Sequence, residues 1–267
     1  SKHAVDEYTA ILDADTSQVL SISYGACESY VNATWPGLIA SEHELFEQAA
    51  TEGISVLAGS GDTGSEGCER QNHTAALATL DPASQPFVTA VGGTDLTGVG
   101  SPPAEKAWND GTGAGGGGIS SEWPMPPWQS APGVPSAQSS GTPCGAATGD
   151  CREVPDVAAS ASGDNPYVVY YGNTWTAYAG TSASSPLWAA LTADIESQGA
   201  TFRAGFLNPS LYAFDVEGGA FNDITTGNID WTGTHGGLYP TTAGYDMATG
   251  LGSPIASILA SDFAANP

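Results

Sequence analysis

Positive charge is scarce in this chain. Only 5 of its 267 residues are Lys or Arg, against 29 Asp and Glu, for a formal net charge of −24 at pH 7. A surface of that sign excludes nucleic acid and anionic membranes as partners. It repels itself at neutral pH, and the repulsion fades near pH ~3–4 as carboxylates take up protons. With so few cations, little positive charge then replaces it. Long apolar runs are also absent. None reaches the ~20 residues that span a bilayer, and the opening SKHAVDEYTA has no apolar core of a secretory leader. Cysteine is sparse: Cys27, Cys68, Cys144 and Cys151 contain no C-x-x-C pair, which argues against zinc.

What is present fits one globular domain. Hydrophobic residues make up 40% of the sequence, and the length suits a single large core. Cys144 and Cys151 bracket a short loop that a local disulfide would close, and Cys27 and Cys68 each follow an expected strand end, which would suit a second bridge. With the sequons at Asn32 and Asn72, the cysteines favour an oxidising, extracellular compartment.

The pattern along the chain is that of an α/β fold. A short helix is expected at 6–14. The β-branched VLSISYG (19–25), ISVLAGSGD (54–62) and PFVTAVGGT (86–94) read as buried strands. Between the first two lies a helix at 41–53, with Ser41 and Glu44 as a capping box, Leu45, Phe46, Ala49 and Ala50 facing inward, and Gly53 as its stop. Buried strands joined through a helix predict a doubly wound, mostly parallel sheet with helices on both faces. Its active groups would lie at the carboxyl ends of the strands. Residues 111–150, rich in Gly, Ser and Pro, read as a loop within the domain. A strand resumes at 154–161, and a hairpin over 167–180 turns at Gly172-Asn173.

The hairpin leads into GTSASSP (180–186). Ser184 or Ser185 would cap a helix whose first turn holds Pro186. All three serines can serve as cap and turn residues. Alternatively, Ser182 is a nucleophile held where helix N–H groups stabilise an oxyanion. Asp62, in SGDTG, follows a buried strand. It is either an ordinary turn residue or a carboxylic acid that donates a hydrogen bond when protonated. Asp223 and Asp246 lie in FNDITTGN and TTAGYDMATG. Two carboxylates with carbonyls from a Gly-rich loop form an oxygen-only site suited to Ca²⁺.

The order SISYG, SGDTG, GGTDL, PDV, GTSASSP, NDI, AGYDMATGLG resembles the sedolisins, the serine-carboxyl peptidases, over nearly the whole chain. The resemblance implies a subtilisin-like fold and peptide or protein substrates. It assigns Ser182 as nucleophile and Asp62 as the oxyanion-hole acid. The calcium ligands would be Asp223, Asp246 and the carbonyls of Ile224, Thr242 and Gly244, with Thr242 standing where a glycine is common. Ser23, Tyr24 and Gly25, with Gly116 and Gly117 of the 115–118 loop, would line the substrate cleft. One element has no match. The family's general base is a Glu with an Asp four residues later, and no Glu here has an Asp at that spacing. The chain is therefore expected to be the carboxyl-terminal part of such a peptidase, partnered by an amino-terminal chain of the same precursor and unable to turn over alone. A non-catalytic relative, and a subtilisin with its Asp and His upstream, are the competing readings.

Overall fold

The computed structural model describes residues 2–130, 134, 139, 141–146, 149–198 and 203–266. Four strands form a parallel sheet in the order Val19–Ile22, Ser55–Gly59, Thr89–Gly98, Val157–Ser160; Ala104–Ala107 pairs antiparallel with Thr89–Gly98. Side chains along each strand alternate between the two faces. Val56, Ala58, Val88 and Ala90 pack with Tyr8 and Phe46 from the helices Lys2–Ala14 and Leu38–Glu52. Leu57, Val91, Val157 and Ala159 pack on the other face with Trp188 of the helix Thr181–Ser197. The expected two-sided α/β layering is thus realised.

Several boundaries differ from expectation, each for a local reason. The Leu38–Glu52 helix starts three residues before Ser41 because Gly37, at φ 87°, turns the chain into it; Ser41 and Glu44 are interior and form no capping box. Gly53 ends it in the left-handed conformation, as expected (φ 74°). The first helix reaches back to Lys2. The strand expected at 154–161 is two, Cys151–Val154 and Val157–Ser160, separated at Pro155, which cannot donate to a ladder. Within the expected 111–150 loop, Gly118–Pro124 pairs with Cys151–Val154; residues 131–133, 135–138, 140, 147 and 148 of that loop lie outside the described residues. The 167–180 hairpin pairs Tyr167–Tyr171 with Thr174–Tyr178 around Gly172 and Asn173, both with positive φ. Both expected disulfides are formed, Cys27–Cys68 and Cys144–Cys151.

Burial makes this fold favour acid. Burial raises the pKa of Glu28, Glu42, Asp81, Glu105, Glu196 and Asp215, and hydrogen bonds to several of them do not cancel it. Asp110 and Asp230 end below the usual value, because their hydrogen bonds outweigh burial. An acid whose folded pKa is raised contributes stability below its unfolded pKa and loses it as pH rises through the folded pKa. With Asp246, which burial raises likewise, seven groups act in that direction and two oppose it. The melting temperature is therefore expected to fall between pH ~4.5 and ~7.5 by at least ~5 °C. Calorimetry across that range checks this, and a flat or rising profile would contradict it.

Candidate active site

The hairpin strand Thr174–Tyr178 delivers the chain to Gly180, which adopts φ 102° at the helix N-terminus. A Cβ on Gly180 would stand 2.9 Å from Asp62 Oδ2, so only glycine lets the two segments approach this closely. The helix begins at Thr181. Ser184 and Ser185 are therefore interior rather than caps: both are buried, with Ser184 Oγ donating to the Gly92 carbonyl at 2.9 Å and Ser185 Oγ 3.3 Å from Ser21 Oγ. Ser182 is the exposed serine of the three. Its Oγ donates to the Ser23 carbonyl at 3.1 Å, and Ser23 Oγ donates to the Ser182 carbonyl at 3.0 Å. In the first helical turn, the Ser182 N–H has no intrahelical acceptor.

Asp62 sits just past the carboxyl end of Ser55–Gly59. Its Oδ1 accepts from Thr181 N (2.8 Å) and Thr181 Oγ1 (2.9 Å), which fixes the carboxyl against the start of the serine helix. Its Oδ2 lies 3.5 Å from Arg70 Nη1. Between Ser23–Gly25 and Gly61–Thr63 runs a recess of about 160 Å³, with Ser182 and Asp62 in its lining. The structure thus brings together Ser182, Asp62, Ser23, Tyr24 and Gly25. Gly116 and Gly117 do not line this recess. They are buried behind the Asp62 loop, with Gly116 N donating to the Gly61 carbonyl at 2.8 Å. The sequence reading missed Thr181, Arg70 and Tyr8. Tyr8 lies beneath Tyr24, their hydroxyls 2.7 Å apart. A threonine directly before an exposed serine at a helix start was the available signal for Thr181.

The Asp223 and Asp246 carboxylates close on one turn. Asp223 Oδ2 accepts from Gly244 N (3.1 Å) and Asp246 Oδ2 from Thr242 N (2.9 Å). The carbonyls of Ile224, Thr242 and Gly244 belong to the same two segments. Burial pushes the Asp246 carboxyl up to about 6, although the N–H groups of Thr242, Ala248 and Thr249 donate to it. Among the described residues there is no group of three or more His, Cys, Asp or Glu side chains placed for a metal. A cation here would thus need backbone oxygens as well as the two carboxylates, a hard donor set that fits Ca²⁺.

A serine at the N-terminus of a helix laid across a parallel α/β sheet is the subtilisin-like arrangement. The solved structure of Pseudomonas sedolisin, a serine-carboxyl proteinase complexed with two molecules of pseudo-iodotyrostatin, superposes on 98% of this chain and 69% of its own, with TM-score 0.84 and 27% identity. Kumamolisin from Bacillus sp. (strain MN-32) is 40% identical over 242 residues, 89% of this chain and 41% of kumamolisin. Sedolisin from Pseudomonas sp. (strain 101) is 31% identical over 250 residues, 90% of this chain and 39% of sedolisin. Tripeptidyl-peptidase SED2 from Arthroderma otae is 33% identical over 259 residues, 88% of this chain and 40% of that protein. No family model matches. The chain belongs to the sedolisin family, corresponding to the carboxyl-terminal part of those proteins and to about two-fifths of their length.

Proposed function

We propose that this chain carries the nucleophile and oxyanion site of an acid-acting, secreted serine-carboxyl peptidase. The observation that carries the reading is the pairing of exposed Ser182 with an Asp62 carboxyl clamped by Thr181, both facing one recess. Ser182 Oγ attacks the peptide carbonyl and forms a tetrahedral adduct. The Ser182 N–H and a protonated Asp62 Oδ2 donate to the oxyanion. Asp62 must hold a proton to donate, so the reaction belongs to acid. The leaving amine takes a proton, the acyl group stays on Ser182, and water releases it.

The Ser23 carbonyl, to which Ser182 Oγ donates at 3.1 Å, cannot accept a proton at neutral or mildly acid pH. The resemblance to the sedolisins implies a Glu as the base, and we propose that it lies outside these 267 residues on an amino-terminal chain of the same precursor, so that this chain alone is inactive. The two disulfides support an oxidising compartment. The test is hydrolysis of a protein substrate by the full-length protein at pH ~3–5, with a covalent serine-directed aldehyde or phosphonate mapped by mass spectrometry. Cleavage with the label on Ser182 supports the reading. A label on another residue, or no cleavage, overturns it.

The reading includes one Ca²⁺ held by Asp223, Asp246 and the carbonyls of Ile224, Thr242 and Gly244. Bound there, the ion supplies structural charge that ties two loops together. A ligand that binds only the folded state stabilises by ~2.7 kcal/mol at a hundredfold excess over Kd. That predicts a melting temperature ~5–10 °C higher in calcium than in chelator, and no such difference in Asp246→Asn. Paired thermal melts and elemental analysis check it. Equal melts with no bound metal count against the site.

A further inference from the structure

Glu66 stands four residues beyond Asp62, and Asp230 lies in a segment whose ends, Asn228 and Pro240, bridge to each other. The proposed chemistry uses neither acid. The two segments meet backbone to backbone: Ser65 N donates to the Ile229 carbonyl at 2.9 Å, and a Cβ on Gly64 would collide with that oxygen. Both acids are buried there, Glu66 at 0% and Asp230 at 5% exposure. Asp230 Oδ2 accepts from His235 N (3.0 Å) and Gly237 N (2.8 Å), which shapes the turn at 230–237. Glu66 Oε1 accepts from Thr232 Oγ1 at 2.9 Å. The other oxygens, Glu66 Oε2 and Asp230 Oδ1, are buried and receive no N–H or hydroxyl donor among the described residues. The two carboxyl groups are instead hydrogen-bonded to each other.

Carboxylate oxygens only accept, so a hydrogen bond between two acids needs a proton on one of them. Burial raises the Asp230 pKa, but its hydrogen bonds outweigh that and leave its carboxyl below the usual range. Asp230 therefore keeps the charge and Glu66 carries the proton. Among the described residues no Lys or Arg pairs with either acid. The titratable group that faces them is His235, its Nε2 3.8 Å from Glu66 Oε1. That nitrogen also lies 2.6 Å from the Ala75 carbonyl, which only accepts, so it carries a hydrogen. The other segments packed on the pair bring Ala78, bridged to Glu66, and Asn109, whose Nδ2 donates to the Asp230 carbonyl at 3.2 Å. Neither is charged.

We propose that Glu66 and Asp230 form an acid latch, in which one shared proton ties the Asp62 loop to the 228–240 segment and its loss toward neutral pH opens that junction. Two ionised carboxylates sharing one site repel each other. The latched pair holds a proton that two solvated carboxylates give up above pH ~4.5, so each further pH unit favours opening by up to about tenfold. Asp62 sits on the latched loop, so the site it belongs to is held in order by acid. That last consequence alone rests on the peptidase reading of Ser182.

Amide hydrogen exchange of the full-length protein reads the opening without turnover, so its outcome is independent of whether the protein cleaves peptides. Exchange is followed by mass spectrometry at pH ~4.5 and ~7 and corrected for the intrinsic effect of pH on exchange. The expected result is a loss of protection of about tenfold or more at the higher pH in peptides covering 63–70 and 228–240. Glu66→Gln places a permanent N–H donor opposite Asp230 and keeps the acceptor for Thr232. Protection in those peptides should then change by less than about twofold between the two pH values. Asp230→Asn makes the same replacement from the other side and covers the case in which Glu66→Gln does not fold. His235→Gln keeps a donor for the Ala75 carbonyl and should retain the pH dependence of the unmodified protein. Protection that does not change with pH in the unmodified protein overturns the latch. So does an undiminished loss in Glu66→Gln or Asp230→Asn. A pH dependence abolished by His235→Gln overturns it as well, and assigns the switch to the imidazole.

Discussion

Ser182→Ala is expected to lower peptide hydrolysis by the full-length protein by roughly 10⁴–10⁶-fold while leaving its melting temperature within ~2 °C. The Ser182 hydroxyl is exposed and its one hydrogen bond is to the Ser23 carbonyl, so its removal leaves no buried group unpaired. Ser184→Ala should behave in the opposite way. Its hydroxyl is buried and donates to the Gly92 and Thr181 carbonyls, so its loss should cost stability by ~1 kcal/mol and leave the chemistry largely in place. Asp62→Ala should cost about 10²–10³ in kcat, the usual magnitude for one oxyanion donor. Asp62→Asn, which keeps a donor without a titrating proton, should be milder and move the alkaline limb of the pH–rate profile upward. Steady-state rates against pH for the four variants check this. An active Ser182→Ala protein would remove the serine from the mechanism, and an unshifted alkaline limb in Asp62→Asn would remove the aspartic acid.

Neighbouring serines with opposite duties show where sequence reasoning stops. Gly180, the exposed Ser182 and the following helix were legible because a tight turn and a small-residue helix start leave local marks. The burial of Ser184 and Ser185 was not, because it depends on the Gly92 carbonyl and on Ser21, brought close only by the sheet. The central strands were legible from β-branched runs such as Ile54 to Leu57. The true start at Leu38 was hidden by a plausible capping box three residues later, and only the positive φ of Gly37 displaces it.

Glu42 illustrates a different kind of omission. It falls on the same helical face as Phe46 and Ala49, and all three are buried, so the spacing already placed a carboxyl in the interior. What the spacing could not supply was Asp81, which meets Glu42 only after the chain has passed through a strand and a disulfide loop. Arg70 and Thr181 reach Asp62 in the same non-local way. The proposed calcium ligands differ again. Asp223 and Asp246 stood out as carboxylates beside glycine, whereas their closure on the single turn at 242–244 required the fold.

The largest stability effect is expected at Asp156, in the PDV stretch between Cys151–Val154 and Val157–Ser160. Asp156 is fully buried. Its Oδ2 accepts from Ala90 N (2.8 Å), Arg152 Nη2 (2.6 Å) and Asn208 Nδ2 (3.3 Å), and its Oδ1 accepts from Tyr212 OH (2.9 Å). Arg152 is equally buried, stacked 4.8 Å from the centre of the Trp128 ring. Burial opposes its charge, but the Asp156 carboxylate outweighs that and holds the guanidinium above its usual pKa. Asp156→Ala strands this cation in the core, and breaking a buried pair from one side costs ~3–5 kcal/mol. Against a total of ~5–15 kcal/mol for a domain, that is a large fraction. The melting temperature should fall by ~10 °C or more. Arg152→Met should also destabilise, since it leaves the carboxylate with fewer donors. Combining Arg152→Met with Asp156→Asn removes both charges while keeping volume, and should recover part of the loss. Urea unfolding of the two single variants, Asp156→Asn and the combined variant gives the coupling directly. A loss below ~1 kcal/mol for Asp156→Ala, or strictly additive losses in the combined variant, would mean that the strand junction is held by its backbone pairing and by the disulfide at Cys151 rather than by this ion pair.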